Sequence, residues 1–232
     1  MHNAPPPPIP APIDHRQLGR QLDLFTSNEL VGAGLPLWLP DGAAIREQLE
    51  HFIVELERDA GYRRVCTPVL GKRELYERSG HWQHFRGDMF PPLDVGSEQL
   101  VLRPSNCPHH ILIFNAGQHS FRDLPVRLCE LGAMFRYERS GVLGGLSRVR
   151  AMTLNDAHVF VADAQVEGEV AAMLAMIDHA YDLLGITGHH LRLSLHGPTG
   201  SYVDAPAMWQ RGEAALRAVL DAAGVAWVTA PR

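Results

Sequence analysis

A chain of 232 residues, 46% hydrophobic and 20% charged, can bury one sizeable core, or one domain plus part of a second. With 21 basic against 26 acidic side chains the net charge is −5, so no overall basic field draws in nucleic acid, and only a local basic site could. Three cysteines, Cys66, Cys107 and Cys129, argue against a disulfide scaffold, no long apolar run offers a membrane span, and prolines stand where a signal peptide has its apolar segment, so a cytoplasmic setting is expected.

Residues 1–13 (MHNAPPPPIPAPI) are proline-rich and almost uncharged. Proline has no backbone N–H to donate, so this stretch is predicted to be a disordered tail; the other reading is a docking ligand for a proline-reading domain. The folded part is predicted to begin near Asp14. Gly32, Gly34, Pro36 and Pro40 mark a loop-rich opening. Over 43–58, Ile45, Leu49, Phe52, Ile53 and Leu56 sit at helical spacing, with Arg46, Glu47, Glu50 and Glu57 elsewhere on the wheel. Gly61 ends this helix, and RRVCTP reads as a short strand closed by Pro68. LVLRP near residue 101 is another strand candidate. From Cys107 to about Ala116 the pattern is helical, with Pro108 in the first turn, where proline is tolerated.

Val126 to Ala162 reads as two long strands joined by RSGVLGGLS, whose three glycines and two serines suit a flexible hairpin connection. Residues 166–184 form a second amphipathic helix, with Val166, Val170, Met173, Leu174, Ile177, Tyr181 and Leu184 on one side. LRLSL alternates as a half-buried strand, 206–223 form a third helix, and VAWVTA opens another strand. No internal repeat is present. The mixed order with a clear hairpin predicts an α+β fold, with a mainly antiparallel sheet flanked by helices.

Successive side chains of a strand face opposite ways, so Arg136 and Glu138 share a face, as do Arg148 and Arg150 on the returning strand, with Val149 turned away. Cations from both strands then converge on one surface, and arginine's planar donor fork suits phosphate and carboxylate oxygens. The other reading is a solvated sheet face with weak cross-strand ion pairs, and spacing alone favours it. Cys107 and His158 are residue types that zinc prefers, but they lie far apart in sequence. A lone cysteine is more often a small buried hydrophobe. His109 and His110 are adjacent, so their rings point apart.

Seven stretches, in order, resemble the threonyl-tRNA synthetases, class II aminoacyl-tRNA synthetases: DHRQLGRQLDLF, GYRRVCTP, RELYERSGHWQHF, PSNCPHH, FRDLPVRLCELG, FRYERSGVLGGLSRVR and NDAHVF. GYRRVCTP is similar to class II motif 1, a dimer-interface element. FRYE with the downstream RVR is similar to motif 2, the hairpin that binds ATP and the tRNA acceptor end. The resemblance runs from about residue 14 to 230. It implies that residues 14–232 are a partial class II catalytic domain holding motifs 1 and 2, C-terminally incomplete, because motif 3, the anticodon domain and the third zinc ligand lie in later segments of the family. It implies activation of threonine by ATP with magnesium, then transfer to tRNA.

The same resemblance assigns roles. Arg136 matches the arginine on the α-phosphate and substrate carboxylate, Glu138 the glutamate at the adenine, and Arg148 the arginine near the terminal phosphate. Cys107 and His158 match two of three zinc ligands, and Asp156 the aspartate that receives the threonine hydroxyl. Some positions depart from the family. Met152 replaces a phenylalanine that stacks on adenine, Leu154 a glutamine and Asn155 an acidic residue. Ser105 replaces methionine, His109 glycine, and Gly144 a histidine of the hairpin loop. Three readings follow: a threonine-tRNA ligase; a non-catalytic paralogue that dimerises, with itself or with a full-length synthetase, or binds a small molecule; or half of a split enzyme.

Overall fold

The computed structural model describes residues 14–187, 189–197 and 203–231; the expected proline-rich tail, residues 1–13, lies outside them. Asp14 caps the first helix, α1 (His15–Gln21), by accepting the Arg16 amide N–H at 2.9 Å. A short antiparallel pair follows, β1 (Phe25–Thr26) with β2 (Leu37–Trp38). Helix α2 (Pro40–Asp59) starts on a proline, whose missing N–H is no loss in a first turn, and contains the helix expected over 43–58. Gly61, at φ +83°, reverses the chain after it. The strand expected at RRVCTP shrinks to β3 (Arg63–Arg64), although Val65 still donates to the Cys129 carbonyl at 2.9 Å.

Four short elements then appear that residue spacing did not announce: β4 (Leu70–Lys72), α3 (Arg73–Arg78), α4 (His81–Phe85) and β5 (Leu93–Val95). β6 (Glu98–Leu102) is the LVLRP candidate. It is the middle strand of an antiparallel sheet in the order β4–β6–β5, with Leu70 opposite Leu102 and Leu93 opposite Leu100. Helix α5 (Cys107–Ala116) begins where expected. The two long strands are β7 (Val126–Phe135) and β8 (Ala151–Phe160), in a sheet ordered β3–β7–β8. After them come α6 (Val166–Leu184), β9 (Leu191–Leu195), α7 (Pro206–Ala222) and β10 (Trp227–Pro231). β9 and β10 run parallel, Trp227 opposite Leu191, with α7 as the crossover that a parallel pair requires. The α+β expectation therefore holds, with the antiparallel pairs β1–β2, β4–β6 and β5–β6 earlier in the chain and the parallel β9–β10 pair later.

The chain divides into two compact units: residues up to 114 with 129–156, and residues 115–128 with those from 157 on. The first has an apolar core of Tyr76, Trp82, Met89 and Val101, with Leu75 packed on it. The guanidinium groups of Arg73 and Arg86 lie 4.8 and 5.2 Å from the Trp82 ring, which covers the core's edge with cations held by the ring's negative face. The two-residue period of β8 fixes what its sides meet. Thr153 and Asn155 turn to α2, where Thr153 accepts from Arg46 at 2.8 Å and Asn155 donates to Glu57 at 3.0 Å. Leu154 and Asp156 therefore fall on the other face.

In the second unit Arg127 makes a two-pronged pair with Glu169, its Nε 2.7 Å from one carboxylate oxygen. Gln165 joins the α6 start to the preceding loop, accepting from the Ala162 amide and donating to the Leu124 carbonyl, both at 3.0 Å. The crossover helix buries Val219 and Leu220, and β9 buries Leu193.

Candidate functional site

The first unit supports its site with a buried ionic network. Arg103, 1% exposed at the end of β6, donates from Nε to the Ala133 carbonyl at 2.7 Å and from Nη2 to Glu130 at 3.1 Å, and also reaches the Thr67 hydroxyl. Glu130 further accepts from the Thr67 hydroxyl at 2.7 Å and lies 3.1 Å from His110 Nε2. Burial alone would raise the Glu130 pKa, but the Thr67 hydroxyl and amide, His110 and Arg103 outweigh it and hold the carboxyl below its ordinary range. The Arg103 carbonyl accepts the Phe135 amide at 3.0 Å, so the network fixes the point where β7 ends.

Beyond that point the hairpin opens. The Arg136 amide still pairs with the Arg150 carbonyl at 2.9 Å, and the Tyr137 amide donates to the Asp88 carbonyl at 2.8 Å. Arg136, Glu138 and Arg148 line one cleft of about 420 Å³. Arg148 Nε lies 3.0 Å and Nη2 2.9 Å from one Glu138 oxygen. Among the described residues the exposed Arg136 guanidinium has no carboxylate partner, so its donors are available to a ligand. Arg150, expected beside Arg148, is used differently and donates to the Glu138 backbone carbonyl at 2.9 Å and to Ser140 at 3.3 Å. Val149 is buried, as expected for the residue turned away.

Residue spacing missed the opposite wall. His81, Phe85 and Asp88 line it, with Pro104 and Ser105. His81 sits between two hydroxyls, Ser79 Oγ at 3.0 Å from Nδ1 and Ser105 Oγ at 2.9 Å from Nε2. Burial keeps its pKa below the usual imidazole range, so the ring is neutral at physiological pH. The available signal was Ser105 itself, a hydroxyl where a thioether was expected. His109 does not crowd the cleft: its ring is buried edge-on to Tyr76, centroids 6.2 Å apart, against Gly71.

Cys107 and Asp156 both belong to the first unit, and His158 to the second. Burial raises the Cys107 thiol pKa, and the Asp156 charge raises it further. Catalytic zinc takes three protein ligands. Among the described residues no group of three His, Cys, Asp or Glu side chains could hold a metal ion. Met152 lines a larger apolar groove of about 600 Å³ beside α2, together with Trp38, Leu49 and Ile53.

The structure thus presents an arginine-bearing hairpin opening over a cleft, on a mixed α and antiparallel β scaffold. The chain belongs to the class II tRNA synthetase core-domain family: residues 90–215 match the family described as tRNA synthetase class II core domain (G, H, P, S and T). Within that family its similarity runs to threonine–tRNA ligases. It is 50% identical over 214 residues to the threonine–tRNA ligase of Anoxybacillus flavithermus, covering 91% of this chain and 33% of that one. Against threonine–tRNA ligase 1 of Bacillus subtilis it is 49% identical over 213 residues, with the same shares. The RNA-binding domain of threonyl-tRNA synthetase from Cryptosporidium parvum Iowa II superposes with a TM-score of 0.86 at 35% identity, over 94% of this chain and 54% of that structure. The chain spans about a third of the length of the curated relatives it matches. No helix among the described residues is long and apolar enough to cross a membrane.

Proposed function

We propose that this chain carries the ATP-binding hairpin of a threonyl-tRNA synthetase and takes part in activating threonine for transfer to tRNA. The observation that carries the reading is the cleft in which Arg136, Glu138 and Arg148 converge, with the Arg136 donors uncommitted. In the first step a threonine carboxylate oxygen attacks the α-phosphorus of ATP, and magnesium pyrophosphate leaves. Charge builds on the α-phosphate oxygens as the bond forms, and a fixed guanidinium there lowers the barrier by positioning and neutralisation. Arg136 takes that place. Glu138, held by Arg148 and with its backbone carbonyl bound by Arg150, is aimed as an acceptor for the adenine amine, and Arg148 lies where a terminal phosphate can exchange for Glu138. In the second step a ribose hydroxyl at the tRNA end attacks the adenylate carbonyl, and AMP leaves. Asp156 is the acceptor for the threonine hydroxyl, and Cys107 and His158 are the other residues that the family resemblance gives to threonine.

Helix α2 exposes Ile45 and Leu49, and Leu49 lines the apolar groove. This supports pairing of that face with a second copy or with a full-length synthetase, which light scattering checks. The test of the function is threonine-dependent exchange of labelled pyrophosphate into ATP on purified protein, with zinc determined on the same sample. Exchange that rises with threonine supports the reading. Exchange at background with ATP still bound turns it to the non-catalytic paralogue.

A further inference from the structure

The loop that follows Arg136 and Glu138, residues 139–148, is held from the far end of the sequence. His15 Nε2 accepts the Leu146 amide N–H at 3.0 Å. On the loop side, Gly145 has φ +55°, and a Cβ there would fall 2.2 Å from His15 Nε2 and 2.7 Å from Arg16 Cγ. Only glycine permits both that backbone turn and that approach. On the other side the His15 ring stacks on Phe25, centroids 6.2 Å apart and planes 21° apart. Phe25 lies against Gly19, where a Cβ would come within 2.3 Å of its ring. The Asp14 cap fixes the first turn of α1, and hence the place from which His15 reaches.

A second grip holds the returning limb. The Gly34 carbonyl accepts the Arg150 amide at 2.7 Å, and the Ala33 carbonyl accepts from its guanidinium at 3.3 Å. A Cβ at Gly34 would meet Leu143 at 2.9 Å. Residues 14–34 thus touch the loop at both of its limbs, with two close approaches, at Gly145 and Gly34, that an added carbon would crowd.

We propose that His15 is a positioning residue for the cleft: it fastens the hairpin loop at Leu146 and thereby sets where the loop presents Arg148. A lone surface hydrogen bond contributes little, but this one is aimed by a stacked ring and a capped helix, so little ordering entropy remains to be lost. Its acceptor must be the unprotonated Nε2, which leaves the proton on Nδ1, the nitrogen 3.9 Å from the Asp14 carboxylate. The clasp rests on geometry alone; its consequence for ATP rests on the proposed nucleotide site.

Hydrogen exchange read by mass spectrometry on the whole chain tests it. In His15→Leu, which keeps bulk but cannot accept, exchange in residues 141–147 should rise about tenfold while peptides of α6 are unchanged. His15→Gln, whose amide oxygen can take the same N–H, should stay within about twofold of the unaltered chain. Gly145→Ala, with His15 intact, should loosen the same peptides, and it carries the test if His15→Leu does not fold. Unchanged loop exchange in His15→Leu, or no difference between the leucine and glutamine variants, overturns the clasp. In threonine-dependent pyrophosphate exchange, His15→Leu should raise KM for ATP about fivefold with a smaller change in kcat, and His15→Gln should restore it. If the unaltered chain shows no exchange and no ATP-dependent protection of the loop, the nucleotide reading falls, while the hydrogen-exchange comparison still decides the clasp.

Discussion

Arg103 and Arg136 lie on either side of the same strand end and are used in opposite ways. Arg103 is 1% exposed and spends its donors on Glu130, Thr67 and the Ala133 carbonyl. Arg136 is exposed, and among the described residues its side chain meets no carboxylate. A buried guanidinium must be fully paired, because an unpaired charge in a low dielectric is prohibitively unstable. A guanidinium that is to bind phosphate must keep its donors free until the ligand arrives. The difference separates a cation that holds the scaffold from one that can do chemistry, although residue type alone makes them equal.

The comparison is broken most severely by removing the carboxylate at its buried end. Glu130→Ala leaves Arg103 buried without its counter-charge and is expected to destabilise the chain by about 3–5 kcal/mol, read as denaturant midpoint. The depressed Glu130 pKa adds a pH signature. The unfolded chain binds this proton more readily, so the stabilisation is present above the ordinary glutamate value of 4.5 and is lost as pH falls below it. Arg136→Ala is the reverse experiment. Its melting temperature should stay put, while threonine-dependent exchange falls about 100-fold. An Arg136→Ala protein that still exchanges pyrophosphate at the original rate sinks the assignment of this arginine.

How far the sequence carried follows the same division between local and tertiary causes. Helices α2, α5 and α6 were legible because apolar periodicity, an early proline or a closing glycine are written locally. The segments β4, α3 and α4 were not, since pieces of three to six residues show no full period and exist through their packing around Tyr76 and Trp82. RRVCTP overreached because a strand needs a partner, and β7 pairs with only a few of its residues. At the site, Arg136, Glu138 and Arg148 do line one cleft, but not on the strand faces that alternation predicted: β7 stops at Phe135 and β8 starts at Ala151, so they sit beyond the strand ends, and Arg150 goes to the Glu138 backbone. His81 was invisible because it reaches the cleft through Ser105, 24 residues away. The Cys107 and His158 pairing came from resemblance alone, because nothing in their spacing links residues so far apart in sequence.

A smaller effect is expected at Glu57, whose environment is intermediate. It is 3% exposed and accepts from Asn155, with the Cys129 thiol also bonded to it and Arg64 nearby. Burial outweighs these and raises its pKa, and it helps push the Cys129 thiol up to about 12. Here the folded chain holds the proton more tightly, so stability declines as pH rises from 4.5 through the folded value. Glu57→Gln keeps an oxygen for Asn155 and removes the charge. It should flatten that decline and gain up to about 1 kcal/mol at pH 8, with no gain at pH 4. Equal melting shifts at both pH values would mean that burial does not raise the pKa of this carboxyl. Asn155 makes sense in this setting, since an aspartate there would set a second carboxylate against Glu57.

The smallest stability effect belongs to Arg148, and the smallness is informative. Its side chain is 56% exposed while Glu138 is 15% exposed, so the pair is screened and held by a flexible cation. Arg148→Ala should shift stability by about 0.5 kcal/mol or less. Its effect on ATP should be larger than its effect on folding, because the same exposure that makes the pair weak lets a triphosphate displace Glu138. Isothermal titration with ATP separates the two. A loss of affinity with unchanged melting places Arg148 with Arg136 as a ligand-facing cation. A loss of melting temperature comparable to that of Glu130→Ala would move it to the scaffold beside Arg103, and the contrast between paired and waiting cations would then fail at the hairpin's return strand.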